Sequence, residues 1–174
     1  DDPHVWMDPD RMAVAASLIA DELLDLDPDG PWKDRANDYI SLLVALDEDL
    51  ARDYGELSAE GRKMVTNHDA FGYFAERYRF EIIGTVVPGG STLGDPSSQE
   101  LAELVHTMEE ENVNVIYTET TDPSSLAEAV AAELGEEVAV VELYTGSLGE
   151  AGNGTDTYIG IMRENARRIV DASG

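Results

Sequence analysis

The stretch KMVTNHDAFGYFAERYRFEIIGTVV, residues 63–87, decides how this chain folds. It opens on a short β-rich run, KMVT (63–66), and closes on another, FEIIGTVV (80–87). Between them, from about 69 to 79, apolar and aromatic residues recur at helical spacing. Phe71, Tyr73, Phe74 and Tyr78 read as the packing face of that helix. Strand, helix and strand in so short a span form a crossover unit, which sets the two strands parallel.

The same grammar continues toward the carboxyl end. VNVIYT (113–118) and EVAVVEL (137–143) are further β-rich runs, and helical patterns occupy about 97–111, 123–134 and 155–172. Ser97-Ser98-Gln99-Glu100 has the form of a capping box, and Asp122-Pro123 that of a helix start. The expectation is an α/β unit, a four-stranded parallel sheet flanked by helices on both faces.

Upstream the pattern is helical only. Asp8 is placed to cap a helix with Pro9 at its first position, and DLDPDG (25–30) ends it. A second helix starts after Gly30-Pro31 and runs to about Tyr54, with Ala36, Tyr39, Leu43, Leu46 and Leu50 along one stripe. With no packing partner close in sequence, a helix of that length is expected to brace two lobes. The boundary with the α/β unit falls at GELSAEG (55–61).

Composition narrows the partners. A formal net charge of −26 makes nucleic acid and anionic membrane surfaces poor partners and attracts cations. The plain reading of most of the 37 carboxylates is a solvated surface, and lysine at positions 33 and 63 alone suits a salt-adapted protein. A hydrophobic content of 43% is enough for a packed core. Cysteine is absent, so a metal site must use His, Asp and Glu, which suits zinc, manganese or iron rather than copper(I).

In parallel α/β sheets, ligands bind beyond the carboxyl ends of the strands. There the chain puts Asn67, His68 and Asp69, then PGGSTLGD (88–95), then TETTD (118–122) with Glu119, then YTGSLGEAGNGTD (144–156). An imidazole and a carboxylate leaving neighbouring strands are the donors a borderline divalent cation prefers. Taken alone, each has a plainer role that periodicity favours: His68 as a helix cap or hydrogen-bonded loop residue, Glu119 as a cap or pairing partner of the next helix. His4 reads alone as a loop residue beside Trp6, and His106 as a surface residue of a helix. PGGSTLGD lacks the Lys-Ser/Thr ending of a phosphate loop, and Asn153-Gly154-Thr155 is a glycosylation sequon, a short and weak signal. No Gly-x-Ser-x-Gly, His-Glu-x-x-His or Cys-x-x-Cys pattern is present.

Four stretches in order, DPHVWMDP (2–9), VTNHDAFGYFAERYRF (65–80), IYTETTDPSSL (116–126) and TDTYIGIMRENARRIV (155–170), resemble the zinc/manganese-binding solute-binding proteins of ABC importers. The resemblance runs along nearly the whole chain. It implies two α/β lobes joined by a long rigid helix, with a metal held between them and delivered to an ABC permease. It also implies a place outside the cytoplasm, in the periplasm or as a lipoprotein on the outer face of the cell membrane.

By that resemblance, residues 1–30 are the end of an N-terminal lobe, 31–57 the inter-lobe helix and 58–174 the C-terminal lobe. His4 and His68 are implied metal ligands. Glu119 is implied beside the site, more as a partner of a ligand than as a ligand. A first lobe with another histidine is expected before Asp1. The family's carboxyl-terminal aspartate ligand is replaced by Gly146, which tilts the expectation from Mn2+ toward Zn2+. The chain is expected to act as a monomer that binds and hands over an ion, not as an enzyme. Two rivals remain, a metallohydrolase using His68 and Glu119 around a bound water and a surface adhesin with vestigial metal motifs.

Overall fold

The computed structural model describes residues 2–87, 96–121, 124–135 and 138–174. PGGSTLGD, the Asp122-Pro123 helix start and Glu137 of EVAVVEL lie outside the described residues. Four parallel strands, β1 (Lys63–Thr66), β2 (Glu81–Thr85), β3 (Val115–Glu119) and β4 (Ala139–Leu143), form one sheet in the order β2-β1-β3-β4. The helices are α1 (Pro9–Leu26), α2 (Trp32–Gly55), α3 (Gly72–Tyr78), α4 (Ser98–Glu111), α5 (Ser125–Leu134) and α6 (Tyr158–Ser173).

Successive side chains of a strand point to opposite faces, so a sheet covered on both sides needs apolar residues in runs. Met64 and Val65 divide in this way, as do Ile116 and its neighbours Val115 and Tyr117. One face meets α2, α3 and α6 through Leu43, Leu46, Leu50, Phe74 and Ile169. The other meets α4 and α5 through Leu104, Met108 and Val130. Each of these side chains contributes roughly 1.5–3 kcal/mol by leaving water. Tyr54, Phe74, Tyr78 and Phe80 interlock with ring centroids 5.0–5.3 Å apart, so Phe74 and Tyr78 are packing residues, as is the buried Phe71. Half-buried Tyr73 stands outside that cluster, with Arg11 over its ring.

The start signals act as expected. Asp8 accepts from the Asp10 N–H at 2.9 Å, with Pro9 opening α1. Ser97 and Glu100 close a reciprocal capping box on α4. Two expectations need correction. α3 starts at Gly72 rather than near 69, because residues 68–70 form a tight turn in which the Ala70 N–H reaches the His68 carbonyl at 2.9 Å. And α2 does have a partner close in sequence, since α1 folds back along it as a helical hairpin.

Candidate metal centre

Because β1, β3 and β4 are neighbours in the sheet, their carboxyl ends stand side by side. β1 leads into Thr66-Asn67-His68, β3 ends on Glu119, and β4 leads into Tyr144-Thr145-Gly146. His68 sits in the turn after β1, where Thr66 Oγ1 donates to its carbonyl at 2.9 Å. The N-cap of α3 is Phe71, so His68 is not a helix cap. Its ring is buried, and Nδ1 lies in close contact with Glu119 Oε1. The other oxygen of Glu119 accepts from Thr145 Oγ1. Glu119 and Thr145 are both buried.

His4 reaches this place from far away in sequence. It stands before a 3-10 turn (Val5–Met7), and Asp2 Oδ1 accepts from both its backbone N–H (2.9 Å) and its Nδ1 (2.7 Å). Trp6 lies edge-on to the His4 ring, donates from Nε1 to the Thr145 carbonyl at 2.7 Å, and accepts at its own carbonyl from Tyr158 Oη at 2.8 Å. Burial pushes the Tyr158 phenol up, which keeps it a neutral donor. Tyr73 Oη donates to the Asp2 carbonyl at 3.3 Å. Behind the turn, Arg77 joins Asp47 of α2 and lies 4.0 Å from Asp8, and its hydrogen bond to Asp47 pushes its pKa up, so the guanidinium stays charged.

The result is that His4 Nε2 and His68 Nε2 lie 3.3 Å apart, with the ring planes at 61°. The His4 Nδ1 bonds the Asp2 carboxylate and the His68 Nδ1 lies against that of Glu119, an arrangement that favours the ring proton on Nδ1 and the lone pair on Nε2. Two bare nitrogens at that distance must share a proton or face a cation. Two nitrogens bound at about 2.0–2.1 Å to one tetrahedral ion stand about 3.3–3.4 Å apart. The separation therefore fits a common ion without movement of either ring. Glu119 lies behind His68, at the ring nitrogen away from that point. Among the described residues, no three His, Asp or Glu are arranged to hold an ion, so this part of the chain offers two nitrogens.

The remaining candidates fall elsewhere. Asp69 is exposed, and His106 is exposed on α4, facing Glu110 at 3.5 Å. Gly146 is exposed beyond β4; its φ lies outside the left-handed region, and among the described residues an added Cβ would meet only Thr121 Oγ1, at 3.8 Å. Sequence reasoning missed Asp2 and Thr145. A carboxylate two residues before His4 was a usable signal for the first. For the second the signal was weaker, a hydroxyl on the strand end next to that of Glu119. Among the described residues, no helix is long and apolar enough to cross a membrane.

Comparison with known proteins adds the family context. Residues 1–172 match the family model described as "ZnuA: Zinc-uptake complex component A periplasmic". The zinc-binding protein TroA of Treponema pallidum is 32% identical over 98% of this chain and 57% of its own length. The manganese-binding lipoprotein MntA of Halalkalibacterium halodurans is 29% identical over 97% of this chain and 56% of its own. The solved structure of the periplasmic zinc-binding protein TroA superimposes with a TM-score of 0.87, covering 99% of this chain and 64% of that one. The chain thus spans a little over half the length of the curated relatives it matches.

Proposed function

Since the chain belongs to the ZnuA family of periplasmic zinc-uptake components, we propose that it is the metal-holding C-terminal lobe, with its bracing helix, of an extracytoplasmic metal receptor. The receptor binds a divalent transition metal and delivers it to an ABC permease. The observation that carries this reading is the 3.3 Å approach of His4 Nε2 and His68 Nε2, each ring backed by its own carboxylate. In this reading His4 and His68 are ligands. Glu119 orients His68 and raises its basicity instead of binding the ion itself.

Zinc is the preferred cargo and manganese the alternative. Two imidazole nitrogens suit zinc, whereas manganese asks for more oxygen, and Gly146 supplies none. Among the relatives, TroA is named for zinc and MntA for manganese. Residues 1–30 are assigned to the end of an N-terminal lobe, 31–57 to the inter-lobe helix and 58–174 to the C-terminal lobe. The exposed apolar residues Val14, Leu18, Ile19 and Leu42 on the α1–α2 hairpin support that division, since such a face fits against further protein. The protein acts as a monomer in the periplasm or anchored at the outer face of the cell membrane.

A hydrolase reading is less favoured. Its general base would have to be Glu119, and both oxygens of that carboxylate are already engaged, by His68 and Thr145. The experiment is a chelator competition with zinc on the intact protein and on His4→Ala and His68→Ala. Loss of tight binding in both variants is expected. Unchanged affinity in both would remove the receptor assignment from these residues.

A further inference from the structure

Thr145 touches both halves of the centre, one through its hydroxyl and the other through its carbonyl. Oγ1 donates to Glu119 Oε2, the oxygen that Glu119 does not turn to His68. Its carbonyl accepts from Trp6 Nε1 at 2.7 Å, and Trp6 stands against the His4 ring. The residue is itself held firmly. Asn165 of α6, 2% exposed, binds the backbone of Tyr144 twice: its Oδ1 accepts the Tyr144 N–H at 2.8 Å, and its Nδ2 donates to the Tyr144 carbonyl at 2.7 Å. β4 is thus anchored one residue before Thr145.

We propose that Thr145 is a positioning residue that couples the two imidazoles. Through its hydroxyl it fixes Glu119, and through Glu119 the tautomer and ring angle of His68. Through its carbonyl it fixes Trp6, and with it the turn that carries His4. This rests on the reading of His4 and His68 as ligands of one ion. The physical reason is that a buried carboxylate keeps a single orientation only while both oxygens have donors. Without the hydroxyl, Glu119 Oε2 is left buried without its donor, and the carboxylate is free to rotate away from Nδ1. The backbone link to Trp6 survives side-chain substitution, so the two arms of the coupling can be separated.

The test compares zinc affinity of the intact protein, by competition with a chelating dye, for wild type and for Thr145→Ser, Thr145→Ala and Thr145→Val. Serine and alanine both lose the methyl group and differ only in the hydroxyl. The serine variant should stay within about threefold of wild type, and the alanine and valine variants should fall by roughly tenfold or more, as for other partners of metal-bound histidines. In the metal-free protein, 15N spectra should show a changed His68 tautomer population in the alanine variant and not in the serine variant. Equal affinity in serine and alanine, with unchanged His68 shifts, overturns the proposal. If alanine does not fold, the same two readings on valine against serine decide. His68→Ala is measured alongside. If it leaves zinc binding intact, the metal reading itself falls; if it abolishes binding while alanine matches serine, only the role of Thr145 falls.

Discussion

His68 and His4 present the same ring atom to the same point, but the regions that carry them are built differently. His68 grows out of the sheet edge, where three adjacent strands supply the ring, its carboxylate and the hydroxyl that fixes the carboxylate. His4 belongs to an arm ahead of α1, and its carboxylate partner is only two residues away, with a side chain 27% exposed against 4% for Glu119. The arm is tied down by single bonds from Trp6, Tyr73 and Tyr158 rather than by a strand ladder. The sheet edge is therefore set by the fold itself, while the arm depends on a few side chains that can open locally without unfolding the core.

Removing the rings probes what the two regions share. His68→Ala and His4→Ala should each weaken zinc binding to the intact protein by on the order of 100-fold or more, beyond the roughly 10–100-fold that loss of an outer partner costs. Chelator competition measures both. A large loss in one variant and none in the other would mean that only one ring is a ligand.

Removing the carboxylates probes what they do not share. Glu119→Gln should cost roughly tenfold in zinc affinity, and Asp2→Asn only about threefold, because water can replace part of an exposed partner. Equal losses would erase the distinction between sheet edge and arm.

The third strand of the edge offers a sharper, smaller effect. Gly146→Asp adds an anionic oxygen beyond β4, at a position with ordinary φ and space for a Cβ. The ratio of manganese to zinc affinity should rise by several-fold, since harder cations gain more from oxygen. A competition titration reads that ratio, and an unchanged value in a folded variant would mean Gly146 does not face the ion.

The smallest effect belongs to an ion-pair cluster on α6 that is part of neither region. Hydrogen bonds from Arg167 and then Arg168 hold the Glu164 carboxyl down to about 2. A carboxyl lowered in the folded state contributes stability above its unfolded pKa and loses it as the pH falls toward the folded value. Glu164→Gln should therefore lower stability at neutral pH by less than about 1 kcal/mol, with the difference shrinking between about pH 4.5 and about pH 2. Urea denaturation at several pH values checks this, and a pH-independent difference would contradict it.

The fold was legible where the pattern is local. Alternation of β-rich runs with helical spacing gave all four strands and their parallel sense, and Asp8-Pro9 and Ser97 through Glu100 marked two helix starts. The start of α3 was misplaced because the turn at residues 68–70 is set by backbone hydrogen bonds that leave no compositional mark. The α1–α2 hairpin was missed because a stripe on one helix does not say which neighbour covers it. For the centre, residue types alone could not separate His68 from a cap or His4 from a loop residue. The ligand roles of both came from the resemblance carried by four ordered motifs, and they stand as a proposal. Thr145 stayed hidden because its bond to Glu119 spans 26 residues and joins two strands whose adjacency appears only once the sheet order is known.

The claim that His4 and His68 bind one ion is tested most directly by diffraction at the zinc absorption edge from zinc-loaded crystals of the intact protein. A single anomalous peak should lie about 2.0–2.1 Å from Nε2 of both His4 and His68, with Asp2 and Glu119 still at the opposite ring nitrogens. A peak bonded to Glu119, or to one ring with the other turned away, would contradict the account.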